Sequence, residues 1–254
     1  LPVTSKRNRV WLFTKCLEQG YEFPEITSWI RASKKDFELV RDMGLKETGI
    51  LVSCSDYHIF YKMRMTRKEA MEHYLSVVRE CLEIGVSPRC HLEDITRADI
   101  YGYVIPFCLE LMKLSKEYQI PIKVRCCDTM GYGVNYAGAV IPRSVQGIIY
   151  GLMVHAGVPS EMIEWHGHND FYKAVSNSTT AWLYGASGVN CSLFGIGERT
   201  GNTPLEQWCL NMHSFAVPST AWTPPSSQRW QIIMKKRSVI IFHPVHRLSE
   251  ATLM

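Results

Sequence analysis

In the run Trp165-His166-Gly167-His168-Asn169-Asp170, two histidines stand two positions apart. On a β-strand such residues face the same side, so both imidazoles converge on one point. Two neutral imidazoles on one face can bind a single divalent cation; ordinary core or surface histidines are the plain alternative. A second run, Gly195-Ile196-Gly197-Glu198-Arg199-Thr200-Gly201-Asn202, is rich in glycine. Its glycines allow close backbone approach to a ligand, Glu198 and Arg199 can pair, and Asn202 can offer a carbonyl oxygen to a metal. The alternative is a polar turn capping a helix. In Arg89-Cys90-His91-Leu92-Glu93-Asp94, alternation puts Arg89, His91 and Glu93 on one face. There Arg89 can hold a carboxylate bidentately, or belong to a salt-bridged interior layer. Thr129, in Asp128-Thr129-Met130-Gly131, offers a hydroxyl or simply shapes a turn. His58, in Ser55-Asp56-Tyr57-His58, can orient a carbonyl or be structural.

These residues need elements to position them. Strand-like runs cover 25–30, 49–53, 89–93, 122–128, 162–168 and 189–195, and helix-like runs lie between them. Thr66 and Glu69 have capping-box spacing, and Met71, Tyr74, Leu75, Val78 and Leu82 follow at helical period, so 66–84 is expected to be a helix. Helices are also expected over 35–43, 103–118, 143–156 and 172–184, with Pro142 at the start of one of them. Six βα units imply a parallel sheet. The polar signatures all fall at strand C-terminal ends. In a (β/α)₈ barrel that is the catalytic face, whereas an open doubly wound sheet gathers its site at one switch point. The expected fold is therefore α/β, an incomplete (β/α)₈ barrel of about six units, with the missing strands ahead of residue 25.

The chain has 254 residues, 46% of them hydrophobic, which suits one large domain with a real core. No apolar run approaches the roughly 20 residues needed to cross a bilayer, and the start shows no signal-peptide pattern. Nine cysteines without paired spacing read as reduced thiols and a cytoplasmic location. Cys126 and Cys127, adjacent on a strand, face opposite ways and cannot chelate together. The net charge of +4 belongs to residues 207–254, which hold five Lys/Arg against one Glu, while residues 1–206 hold 23 of each sign. A scattered, proline-interrupted basic tail does not read as a nucleic-acid site.

Taken together, HxHND followed by GxGERxGN resembles the family of 2-isopropylmalate synthase, homocitrate synthase and 3-hydroxy-3-methylglutaryl-CoA (HMG-CoA) lyase. The resemblance spans residues 15–206. The stretches SCSDYHIF, RCHLEDITRADIYG, CDTMGYGVNYAGAVIPRSV and EWHGHNDFYKAV resemble most the members that make citrate. The resemblance implies an acyltransferase that condenses acetyl-CoA with a 2-keto acid, oxaloacetate first, with 2-oxoisovalerate or 2-oxoglutarate as alternatives. It implies a divalent metal, Mn²⁺ first (Co²⁺, Mg²⁺ or Zn²⁺ otherwise), held by His166 and His168 with Asn202 beside it. Arg89, His91, Thr129 and His58 then hold the keto acid, Glu93 lies near the reacting carbon, and Arg125 suits a dicarboxylic substrate. A homodimer is implied for the intact parent, without a nucleic-acid or membrane partner.

The family's first-strand motif, an Asp ligand and an Arg in a DTTxRDG-like run, has no counterpart before residue 25. The rhythm also breaks at 207: the last 48 residues lack Gly, Tyr and Asp. Back-translated and read one base earlier, synonymous codons can restore a helical, family-like string. Residues 207–254 are thus expected to be an out-of-frame tail, and residues 1–14 are open to the same reading. The chain begins at Leu1 rather than Met, as a fragment would, and an inactive gene fragment is the competing reading. Made alone, this chain is expected to show no synthase activity.

Overall fold

The computed structural model describes residues 6–20, 25–30 and 34–216. The expectations for the tail beyond residue 216 and for residues 1–5 lie outside those residues. The chain divides into two units, Leu1–Leu205 and Glu206–Met254. In the first, seven strands form one sheet in chain order: β1 (Ser28–Ile30), β2 (Glu47–Ser53), β3 (Ser87–Glu93), β4 (Lys123–Asp128), β5 (Ile163–Gly167), β6 (Gly188–Ser192) and β7 (Thr203–Pro204). Every neighbouring pair is parallel. Strict sequential order with no reversal is the wall of a (β/α) barrel and not a doubly wound sheet. The described helices are α1 (Lys6–Leu17), α2 (Lys34–Asp42), α3 (Arg67–Glu83), α4 (Ile105–Tyr118), α5 (Val145–Tyr150), α6 (Ala174–Leu183) and α7 (Leu205–Ala216), which runs into the second unit. No helix among the described residues is long and apolar enough to cross a membrane.

Strand alternation sorts the side chains. Val52, Cys90, Leu92, Val124, Cys126, Ile163 and Trp165 face outward and are buried against residues of α3, α4 and α5, among them Leu75, Val78, Phe107, Leu111 and Ile148. A smaller cluster under α2 joins Phe37, Val40, Ile50, Val77 and Cys81. The opposite face of the strands is polar and carries the candidate residues. Cys126 lies in the outer core and Cys127 does not, as alternation demands. All nine cysteines are free.

The capping box of α3 is present: Thr66 Oγ1 accepts from Glu69 N at 3.3 Å, and Glu69 Oε2 accepts from Thr66 N at 2.7 Å. Two expected helices are corrected at their starts. Asp99 accepts from Gly102 N at 2.8 Å and opens a π-turn over Ile100–Val104 before α4. Ser144 accepts from Gly147 N at 3.0 Å and caps α5, so Pro142 precedes the cap instead of occupying the first turn. The sixth strand ends at Ser192, short of the expected 195, because Phe194 adopts φ 57° in a tight turn. A seventh strand, β7, was not expected; its two residues are too few to show a period.

The packing face of α4 is testable. Leu111 is fully buried and Leu109 is exposed. Leu111→Ala should lower unfolding free energy by about 3 kcal/mol in urea titrations, and Leu109→Ala by less than about 0.5 kcal/mol. Equal losses would refute the assigned face.

Candidate active site at the barrel mouth

Parallel register lines the inward residues up in rows. Ser53 pairs with Glu93, Glu93 with Cys127, Cys127 with His166, and His166 with Asn190. One step deeper, Leu51, His91, Arg125 and Glu164 form the next row. Five strands thus place their polar groups at one rim, as the sequence implied.

His166 and His168 meet there, with their Nε2 atoms 3.0 Å apart. His166 Nδ1 lies 2.6 Å from Asn190 Oδ1, an acceptor, so the proton sits on Nδ1 and the Nε2 lone pair is free. His168 has partners for either tautomer: Thr129 O accepts from Nδ1 at 2.6 Å, or Arg199 Nη2 donates to Nδ1 at 2.6 Å. With its proton on Nδ1, the second lone pair joins the first. Burial, and then the neighbouring His168, hold the His166 pKa down at about 4, so this imidazole is neutral. Two Nε2 atoms 3.0 Å apart on one face could both be turned to a single cation. The Asn202 Oδ1 atom is buried and has no hydrogen-bond partner among the described residues. These atoms fit a divalent cation that accepts mixed nitrogen and oxygen donors. Among the described residues no three His, Cys, Asp or Glu side chains form a metal cage.

The glycine-rich loop brings Asn202 to this point. Its backbone pairs with His168 in an antiparallel bridge, and Asn169 N donates to Gly201 O at 2.9 Å. Gly201 has φ 100°, and a Cβ there would strike the carbonyl of Gly195, so only glycine closes the loop. Arg199 turns mainly to Asp170, at 2.7 Å and 3.0 Å, and only weakly to Glu198, at 3.6 Å. The expected Glu198–Arg199 pair is therefore the lesser of the two.

A second group surrounds Glu93. Ser53 Oγ donates to Oε2 at 2.5 Å, His58 Nδ1 lies 3.1 Å from Oε2, and Lys62 Nζ reaches both oxygens at 2.9 Å and 3.0 Å. Burial alone would raise this carboxyl, but the adjacent His58 and the hydrogen bonds from Ser53 and Lys62 outweigh it and hold the pKa at about 2. Thr129 stands between the two groups. Its hydroxyl accepts from Asp94 N at 2.8 Å, tying the end of β4 to the end of β3.

Arg89, His91 and Arg125 lie deeper. Arg89 pairs with Glu47 and, at 3.1 Å, with Glu164; Arg125 reaches Glu164 at 2.6 Å, and Lys123 reaches Glu47 at 2.7 Å. This is the salt-bridged interior layer that the sequence left open as the alternative for Arg89. Burial, and then the adjacent Arg125 and Arg89, push the His91 pKa down to about 2, and its Nε2 has no hydrogen-bond partner among the described residues. Sequence reasoning missed Ser53, Lys62, Glu47, Glu164 and Asn190. Asn190 meets His166 through strand register, which the sequence does not show.

The profile of the HMGL-like family matches residues 2–223. The chain belongs to the HMGL-like family. It is 66% identical over 209 residues to a Citrate (Re)-synthase of Clostridium kluyveri, covering 79% of this chain and 46% of that protein. A Citrate (Re)-synthase of Syntrophus aciditrophicus is 59% identical over 191 residues, covering 75% of this chain and 30% of the relative. The chain thus spans about half, or less, of the length of these relatives. Among solved structures, the HMG-CoA lyase of Bacillus subtilis superposes with a TM-score of 0.61 at 18% identity, covering 91% of this chain and 75% of that one. That likeness is of fold.

The interior ion layer has a measurable role. Glu164 bridges two arginines and is nearly buried. Removing one partner of a buried cluster leaves uncompensated charge, so Glu164→Gln should cost about 3 kcal/mol in chemical denaturation. A loss below about 0.5 kcal/mol would show that the layer does not hold these strands.

Proposed function

We propose that this chain forms the catalytic barrel of an enzyme that condenses acetyl-CoA with oxaloacetate to give citrate. The observation that carries the reading is the convergence of His166 Nε2 and His168 Nε2 at 3.0 Å beside the unpartnered Asn202 oxygen. Family membership and the names of the two similar relatives support the reaction class and the keto acid.

His166, His168 and Asn202 would hold a divalent cation, Mn²⁺ first. Such an ion supplies Lewis acidity toward a bound 2-keto acid. The protein's own groups do the rest. Asn190 and the carbonyl of Thr129 orient the two imidazoles, the outer-shell role that ligating histidines require. Arg89, Arg125 and His91 would lie beneath the keto acid, and because both guanidiniums are already paired with Glu47 and Glu164 they would floor the pocket and hold its shape. Thr129 sets the edge of the pocket. Glu93, ionised at neutral pH, accepts hydrogen bonds near the reacting carbon, and His58 beside it can hold or pass a proton at the mouth.

The test uses a chimera in which this chain replaces the matching segment of the Clostridium kluyveri relative. Release of the CoA thiol with Mn²⁺ should be at least about tenfold faster with oxaloacetate than with 2-oxoisovalerate or 2-oxoglutarate. Asn190→Ala should weaken Mn²⁺ binding about 10- to 100-fold, and His166→Ala should abolish turnover. Preference for another keto acid would overturn the substrate. Full activity in His166→Ala would overturn the site.

A further inference from the structure

Lys62 has no place in the reading above, yet it makes the most complete contact with Glu93. It ends a six-residue π-helix, Tyr57–Lys62, whose second residue is His58. Residues four apart on such a turn are neighbours, so His58 and Lys62 reach the same carboxylate from one short segment. The segment is pinned by the fully buried Ile59 and by Met63 N donating to His58 O at 2.9 Å. Tyr74 of α3 holds both sides of the arrangement: its hydroxyl accepts from Ser53 N at 3.0 Å and donates to Met63 Sδ at 3.1 Å. Lys62 is the one contact that Glu93 Oε1 has among the described residues, while Oε2 also receives Ser53 and His58. The Lys62 side chain is 52% exposed and that of Glu93 is 16% exposed, so the ammonium roofs the carboxylate on its solvent side. Isolated π-turns of this kind are frequent at functional sites.

We propose that Lys62 is a positioning residue that clamps both oxygens of Glu93 and fixes its carboxylate in one orientation at the barrel mouth. The inference rests on the reading that Glu93 faces the reacting carbon. Ser53 and His58 serve only one oxygen and leave the group free to rotate out of plane. The lysine closes the second oxygen, and its charge also favours the ionised form. The titratable groups around Glu93 are His58 and Lys62 from the π-helix, Tyr74 from α3 and Cys127 from β4.

Carboxylate ¹³C NMR of the 254-residue chain tests the clamp without needing turnover. In Lys62→Met the Glu93 titration should move up by at least about one pH unit, while Lys62→Arg should restore it and thermal unfolding of both should match the parent. A Lys62→Met titration that superimposes on the parent would overturn the proposal. In the chimera, Lys62→Met should shift the acid limb of kcat upward by the same amount and leave the KM for acetyl-CoA unchanged. If Glu93→Gln instead retains full turnover, the role given to Glu93 fails, even where the NMR shift shows the clamp to be real.

Discussion

The two-residue period of a parallel strand governs everything else in this chain. Each strand from β2 to β5 must hide apolar side chains on its helix-covered face, and the same step then commits every alternate residue to the barrel interior. Parallel register carries those interior residues into rows. The deepest rows are charged. Glu47, Arg89, Lys123, Glu164 and Arg125 interlock across four strands. Buried charges persist only when paired, so a one-residue slip of any strand would strand several of them at once. The ion layer therefore fixes register, and register sets Glu93, His166 and Asn190 at one height.

That constraint explains why two distinct electrostatic environments can stand side by side. At Glu93 two donors, Ser53 and Lys62, with His58 close by, overcome burial and keep a carboxylate ionised. At His166 burial has no opposing carboxylate, so the imidazole stays neutral. An ionised carboxylate and a neutral imidazole are complementary tools: one accepts hydrogen bonds at the mouth, the other can ligate a cation. Residues two strands apart in the sheet acquire these opposite states from their partners.

Much of this was legible in the sequence, for reasons specific to each element. HxHND and GxGERxGN are local, so their meeting followed from strand-end position alone, and the bridge between His168 and Asn202 realises it. The α3 helix was legible because a capping box and an apolar stripe agree. Partner choice was not. Arg89 could bind substrate or pair internally, and the decision lies with Glu47 and Glu164, which are remote in sequence and brought close only by register. Arg199 prefers Asp170 over its neighbour Glu198 because the loop turns back on itself through Gly201. Lys62 escaped notice because a six-residue π-turn leaves no 3.6-residue period to read.

The account stands or falls on the two imidazoles acting together on one ion. Electron spin-echo spectroscopy of Mn²⁺ added to excess protein addresses this directly, since nitrogen couplings count the imidazoles at the metal. Couplings from two histidine nitrogens, both lost in His166→Ala plus His168→Ala, are the expected result. A spectrum of fully hydrated Mn²⁺, unchanged by the double substitution, would contradict it.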